Sequence, residues 1–255
     1  MSSPISIRAA PLSERTPYTG EAWRLVEAQH VVSTMKLVDT ADEQALLEDI
    51  IETAKPPVPT DCRHLHHLLS TPFRYGAPYP YGSRFRRAGF TEGVWYGAEA
   101  VATAVAELAF YRLLFFAESP QTPWPAGVSE YTAFSAELTA SHHLDLTTAT
   151  YDAGRAALEH VTVYAACQAL ADNARRDGAD VIRYRSVRDP AGGANVAVLA
   201  CRVFAKPAPM RTSTWRMRVS ANGVMALGDG GAARLDFGRG TFAADPRISA
   251  MTWNR

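Results

Sequence analysis

Between Gly93 and Phe116 the chain passes from one backbone periodicity to another with no linker between them, and that junction limits the folds open to it. Gly93-Val-Trp-Tyr96 is a short run of bulky apolar residues that reads as a strand. Directly after it Val101, Val105, Leu108, Tyr111 and Leu114 recur at helical spacing, so a helix is expected over roughly residues 99–116. A strand that runs into an apolar helix points to a mixed α+β packing of helix on sheet.

The rest of the chain supplies that sheet. Strands are expected over residues 23–26, 131–138, 181–184 and 196–204, and a mainly helical stretch over 152–176. The end reads as a β-meander: 215–219, an Asn222-Gly223 hairpin turn, 224–227, then Gly228-Asp-Gly-Gly231 and 232–237. That glycine run lies between strands, so it is read as a hairpin turn and not as a phosphate cradle. Earlier, Thr40-Ala-Asp-Glu43 is a capping box opening a helix with Leu46, Leu47, Ile50 and Ile51 on one stripe, which Lys55-Pro-Pro-Val-Pro59 stops. Residues 71–93, rich in Pro, Gly, Tyr and Arg, read as a long functional loop. The expected class is α+β, with mixed or antiparallel sheets flanked by helices and a C-terminal β-meander.

A chain of 255 residues, 47% of them apolar, buries a sizeable core as one large domain or one domain with an appended piece. Its formal net charge is zero, so no global field draws it to nucleic acid or to an anionic membrane. Lysine occurs only at Lys36, Lys55 and Lys206; the remaining cations are arginines, which suit bidentate phosphate recognition. Cys62, Cys167 and Cys201 form an odd, scattered set, which argues against a disulfide framework and for a reducing compartment. Residues 1–21 show no basic stretch followed by an apolar core, and the apolar run at 108–117 is broken by Arg112. A cytoplasmic protein is expected.

No Gly-x-Ser-x-Gly elbow, P-loop or His-Glu-x-x-His is present. Cys62-Arg-His-Leu-His-His67 offers up to four metal ligands, but its spacing matches no common zinc arrangement, and no metal is expected. The densest cluster of chemistry-bearing residues is Pro72-Phe-Arg-Tyr-Gly76, Gly82-Ser-Arg-Phe-Arg-Arg87 and Gly93-Val-Trp-Tyr-Gly97, followed by Thr103-Ala-Val-Ala-Glu107.

This order resembles the RES domain family, in which a Gly-x-Arg turn precedes a strand ending in tyrosine and a helix carrying Thr-Ala-x-x-Glu. Arg84 matches the turn arginine, Tyr96 the strand tyrosine and Glu107 the helix glutamate. Ser186, in Ile182-Arg-Tyr-Arg-Ser-Val-Arg188, matches a late serine of the family. Arg24 resembles its early strand arginine, with Arg74 a rival for that role and Tyr75 beside it as a further substrate contact. Asn195 stands where a polar residue precedes the last core strand. The resemblance spans roughly residues 20–205, and it implies an N-terminal tail (1–20), a catalytic domain (21–206) with a helical insertion (30–70), and a β extension (207–255).

The resemblance implies an ADP-ribosyltransferase-like fold and a bacterial toxin of a toxin–antitoxin pair that consumes NAD⁺, which is the substrate; no cofactor is implied. Breaking the nicotinamide–ribose bond builds positive charge on the ribose, which a carboxylate such as Glu107 stabilises. Arginine suits the pyrophosphate, and an aromatic face such as Tyr96 suits the cationic nicotinamide. Ser186 suits a hydrogen bond to the glutamate or to the ribose. Water or phosphate is the expected acceptor, and an Xre-type antitoxin the expected partner, with homo-oligomers open. The alternatives are mono-ADP-ribosylation of a protein and a non-catalytic interaction module on the same fold.

Overall fold

The structure is a computed structural model that describes residues 16–27, 37–76, 82–89 and 91–255. Most of the expected N-terminal tail, part of the 30–70 insertion and part of the 71–93 loop lie outside the described residues. Among the described residues nine strands form one sheet. They are β1 (Tyr18–Glu27), β2 (Trp95–Ala98), β3 (Ser129–Ala140), β4 (His143–Asp145), β5 (Val181–Arg185), β6 (Ala194–Val198), β7 (Thr212–Ser220), β8 (Gly223–Gly228) and β9 (Ala233–Gly238). Their spatial order is β4-β5-β6-β2-β1-β3-β7-β8-β9, and only β4 and β5 run parallel. The α+β class therefore holds, and the C-terminal meander continues the same sheet by pairing β7 with β3.

The helices are α1 (Ala41–Ala54), α2 (His67–Arg74), α3 (Val101–Glu118), α4 (Arg155–Leu158), α5 (Ala165–Arg176) and α6 (Pro246–Ser249). Alternation along the central strand β3 sends its side chains to two cores. Tyr131 and Ala133 pack with Val105, Phe110 and Leu113 of α3, whereas Phe134, Ala136 and Leu138 pack with Leu69 and Phe73 of α2. A third cluster joins Cys167, Leu170 and Ala174 of α5 to Ile182 and Ala197. The two sheet faces are thus covered by different helices, and the middle of β3, from Ala133 to Ala136, is buried on both.

Several expectations are corrected. Residues 71–74 complete α2 although Pro72 lies inside it, because Leu69 and Phe73 are buried and their packing outweighs the missing backbone donor. The capping box at Thr40 is present, but the stripe it introduces does not pack: Leu46 and Ile50 are 59% and 56% exposed. Cys62 and Cys201 form a disulfide, with Cα atoms 5.4 Å apart. Turns at Thr60–Cys62 and Cys201–Val203 bring them together across 139 residues, a proximity that spacing along the chain does not carry. With that bond the cysteines no longer argue for a reducing compartment. Among the described residues no helix is long and apolar enough to cross a membrane.

Candidate active site

The sheet parts between β1 and β2. β1 pairs with β3 along its whole length but meets β2 only at Trp23 and Ala98. A cavity of about 320 Å³ lies at this parting, a size suited to a small-molecule site. Arg24 of β1 reaches across it, and its Nη1 donates to the carbonyl of Tyr96 at 3.2 Å. A side chain thus takes an acceptor that a neighbouring strand would otherwise hold. Among the described residues no carboxylate pairs with Arg24. Burial pulls it down to about 10, so at neutral pH it remains a cation on the cavity wall.

The Gly82–Arg86 turn closes one side. The backbone N–H of Ser83 donates to Arg86 at 2.8 Å and that of Arg86 to Ser83 at 3.2 Å. The Tyr96 hydroxyl accepts the Phe85 N–H at 3.0 Å and lies 2.8 Å from Ser83 Oγ, so the strand tyrosine pins the turn. Gln168 of α5 donates to the Ser83 and Arg86 carbonyls from the far side. Arg84 is 9% exposed; its guanidinium donates to the carbonyls of Leu158 at 2.7 Å and His160 at 3.1 Å and stacks 4.7 Å above the Tyr164 ring.

Those carbonyls are free because the helix expected over 152–176 is broken. It ends at Leu158 and resumes at Ala165, and His160 Nδ1 accepts the N–H groups of Thr162 and Val163 inside the gap. Carbonyls at a helix end have no intrahelical partner and are satisfied here by arginines. The break was not legible, since neither Gly nor Pro marks it.

α3 supplies the acid. Thr103 and Glu107 stand one turn apart on one face of the helix and both engage the β5–β6 connection. Thr103 donates to Asp189 at 2.7 Å, and Gly193 passes so close that a Cβ there would fall 2.2 Å from the Thr103 hydroxyl. Glu107 Oε1 accepts from Ser186 Oγ and from Asn195 Nδ2, each at 2.7 Å. Ser186 Oγ in turn accepts the N–H groups of Arg188 and Asp189, so its own proton is left for the carboxylate. Asn195 is 3% exposed, and among the described residues its Oδ1 has no partner.

The cavity therefore gathers Arg24, Arg84, Tyr96, Glu107 and Asn195, with Ser186 bonded behind the glutamate. It does not gather Arg74 or Tyr75. α2 directs Arg74 to an ion pair with Glu52, and Tyr75 is the C-terminal cap of that helix. Between the two arginines weighed for one role, the cavity holds Arg24. Among the described residues, the Cys62–His67 run contributes only Cys62 to a cluster of possible metal ligands, with Asp61 and Cys201, and the sulfurs of Cys62 and Cys201 are bonded to each other. Residues not singled out from sequence also line the wall, namely Tyr111, Tyr164, Tyr184 and Arg188. Tyr111 follows the helical spacing of core residues yet is 55% exposed, and Arg188 carried a signal only in standing two residues after Ser186.

The family model described as RES domain matches residues 58–220. No curated protein matches the chain. Among solved structures, the M. tuberculosis MbcT–MbcA toxin–antitoxin complex aligns with 13% identity and a TM-score of 0.45, covering 78% of this chain and 85% of that one.

Proposed function

The chain belongs to the RES domain family, and from that premise we propose that its cavity binds NAD⁺ and cleaves the nicotinamide–ribose bond, with water or phosphate as acceptor. The observation that carries this reading is the setting of Glu107. Two donors hold Oε1, and among the described residues Oε2 has no protein partner. A carboxylate held through one oxygen on the cavity wall is prepared to meet positive charge growing on a ribose, without reorganising as it forms.

The remaining wall fits the rest of the dinucleotide. Arg24, Arg84 and Arg188 face one carboxylate, Glu107, so the cavity carries an excess of positive charge for a pyrophosphate. Tyr96, Tyr111, Tyr164 and Tyr184 offer flat faces for the nicotinamide cation and the adenine. NAD⁺ is substrate here, and no step needs a metal or a further cofactor. The parted sheet fits an ADP-ribosyltransferase-like fold. We place the protein in the cytoplasm as the toxin of a toxin–antitoxin pair, with an Xre-type antitoxin covering the cavity.

The test is free nicotinamide from NAD⁺ and pure protein, with and without phosphate. Release is expected with no added protein target, and Glu107→Gln is expected to slow it by about 100-fold or more, as for other pre-set electrostatic groups. Absence of release without a protein target would sink water or phosphate as the acceptor, and release that starts only when a protein target is added would favour protein ADP-ribosylation, which breaks the same bond.

A further inference from the structure

Arg188 is 4% exposed at its side chain and still lines the cavity. Its guanidinium lies 3.5 Å from the centre of the Phe110 ring on α3, and its Nη2 donates to the Val161 carbonyl at 2.5 Å. The same nitrogen is 3.2 Å from Oδ2 of Asp245. Among the described residues, Nε and Nη1 of Arg188 bond no acceptor, so donors remain for a ligand.

Asp245 stands far from the matched domain in sequence, beyond residue 220 where the family match ends. It has no exposed surface. Its carboxylate also accepts from Arg247, through Nη2 at 2.8 Å, Nε at 3.0 Å and the backbone N–H at 3.0 Å. Burial alone would raise its pKa, but the Arg247 hydrogen bonds and the two guanidinium charges outweigh burial and hold the carboxyl below its usual value. Arg247 also lies 3.4 Å from Glu118 of α3, so the guanidinium that shares Asp245 with Arg188 has a second carboxylate of its own. Burying a guanidinium is costly unless its charge is hydrogen-bonded or paired, and at Arg188 the ion-pair partner comes from the C-terminal segment.

We infer that Asp245 is a positioning residue of the site: it fixes Arg188 as a cation for the phosphates of the bound nucleotide, which makes the segment after β9 part of the binding machinery. The inference rests on the reading that this cavity takes NAD⁺ through its phosphates. Calorimetric titration of the full chain with ADP tests it. Arg188→Gln and Asp245→Asn are each expected to weaken ADP binding by about tenfold or more, the scale of a lost charge-assisted contact. Asp245→Glu is expected to keep part of the affinity. In the double variant, Asp245→Asn is expected to add nothing to the loss caused by Arg188→Gln. The inference is overturned if the wild type binds no ADP, if Arg188→Gln binds it normally, or if Asp245→Asn costs as much with Arg188 absent as with it present. Should Asp245→Asn fail to fold, the Arg188→Gln and Asp245→Glu titrations decide. Nicotinamide release by the wild type, measured alongside, separates the two readings: cleavage with unchanged ADP affinity in the variants defeats this inference alone, and weakened ADP affinity without cleavage defeats the catalytic reading alone.

Discussion

At the scale of single residues, the site turns on which hydrogen bonds are already spent. Ser186 Oγ receives two backbone N–H groups, so its proton has one destination, Glu107. Ser186→Ala is expected to lower kcat for nicotinamide release by about 10- to 100-fold, the equivalent of losing a hydrogen bond to a charged group, with a smaller change in KM. Steady-state kinetics checks this, and an unchanged kcat would remove Ser186 from the machinery. Glu107 and Ser186 were legible in the sequence only through the resemblance, because 79 residues separate them and no local pattern links them. Arg74 and Tyr75 misled for the opposite reason: they stand close to Arg84 along the chain, but the direction of a short helix sends Arg74 to Glu52.

At the scale of elements, what a segment packs against overrides what its pattern suggests. α1 has the capping box and the apolar stripe of a core helix, yet Leu46 and Ile50 face solvent. Ile50→Glu is therefore expected to shift stability by no more than about 0.5 kcal/mol, in contrast to the several kcal/mol expected had the stripe been core. A thermal melt distinguishes the two. The gap between α4 and α5 is the converse case. Its sequence reads as helix, and the interruption takes its meaning from tertiary structure, because the carbonyls at Leu158, His160 and Val161 are taken by Arg84 and Arg188.

At the scale of the molecule, the meander is not an appendage. Trp215, Met217, Phe237, Phe242 and Ile248 share one core with Phe110 and Leu113 of the helix that carries Glu107. Deleting residues 207–255 is expected to leave an insoluble or unfolded chain, because it strips that core and bares the edge of β3; circular dichroism and solubility of the truncated protein check this. The sequence by itself determined the class, the strand-to-helix junction at Tyr96, the meander with its hairpin turns, and the residue types suited to the chemistry. These follow from periodicity and turn chemistry, which act over a few residues. The tertiary structure alone decided that the sheet parts between β1 and β2, that Cys62 meets Cys201, and that Asp245 stands behind Arg188. Each depends on contacts between segments far apart in the chain. Such contacts are set by which faces are buried against each other, and a one-dimensional pattern records that a face is apolar without recording what covers it.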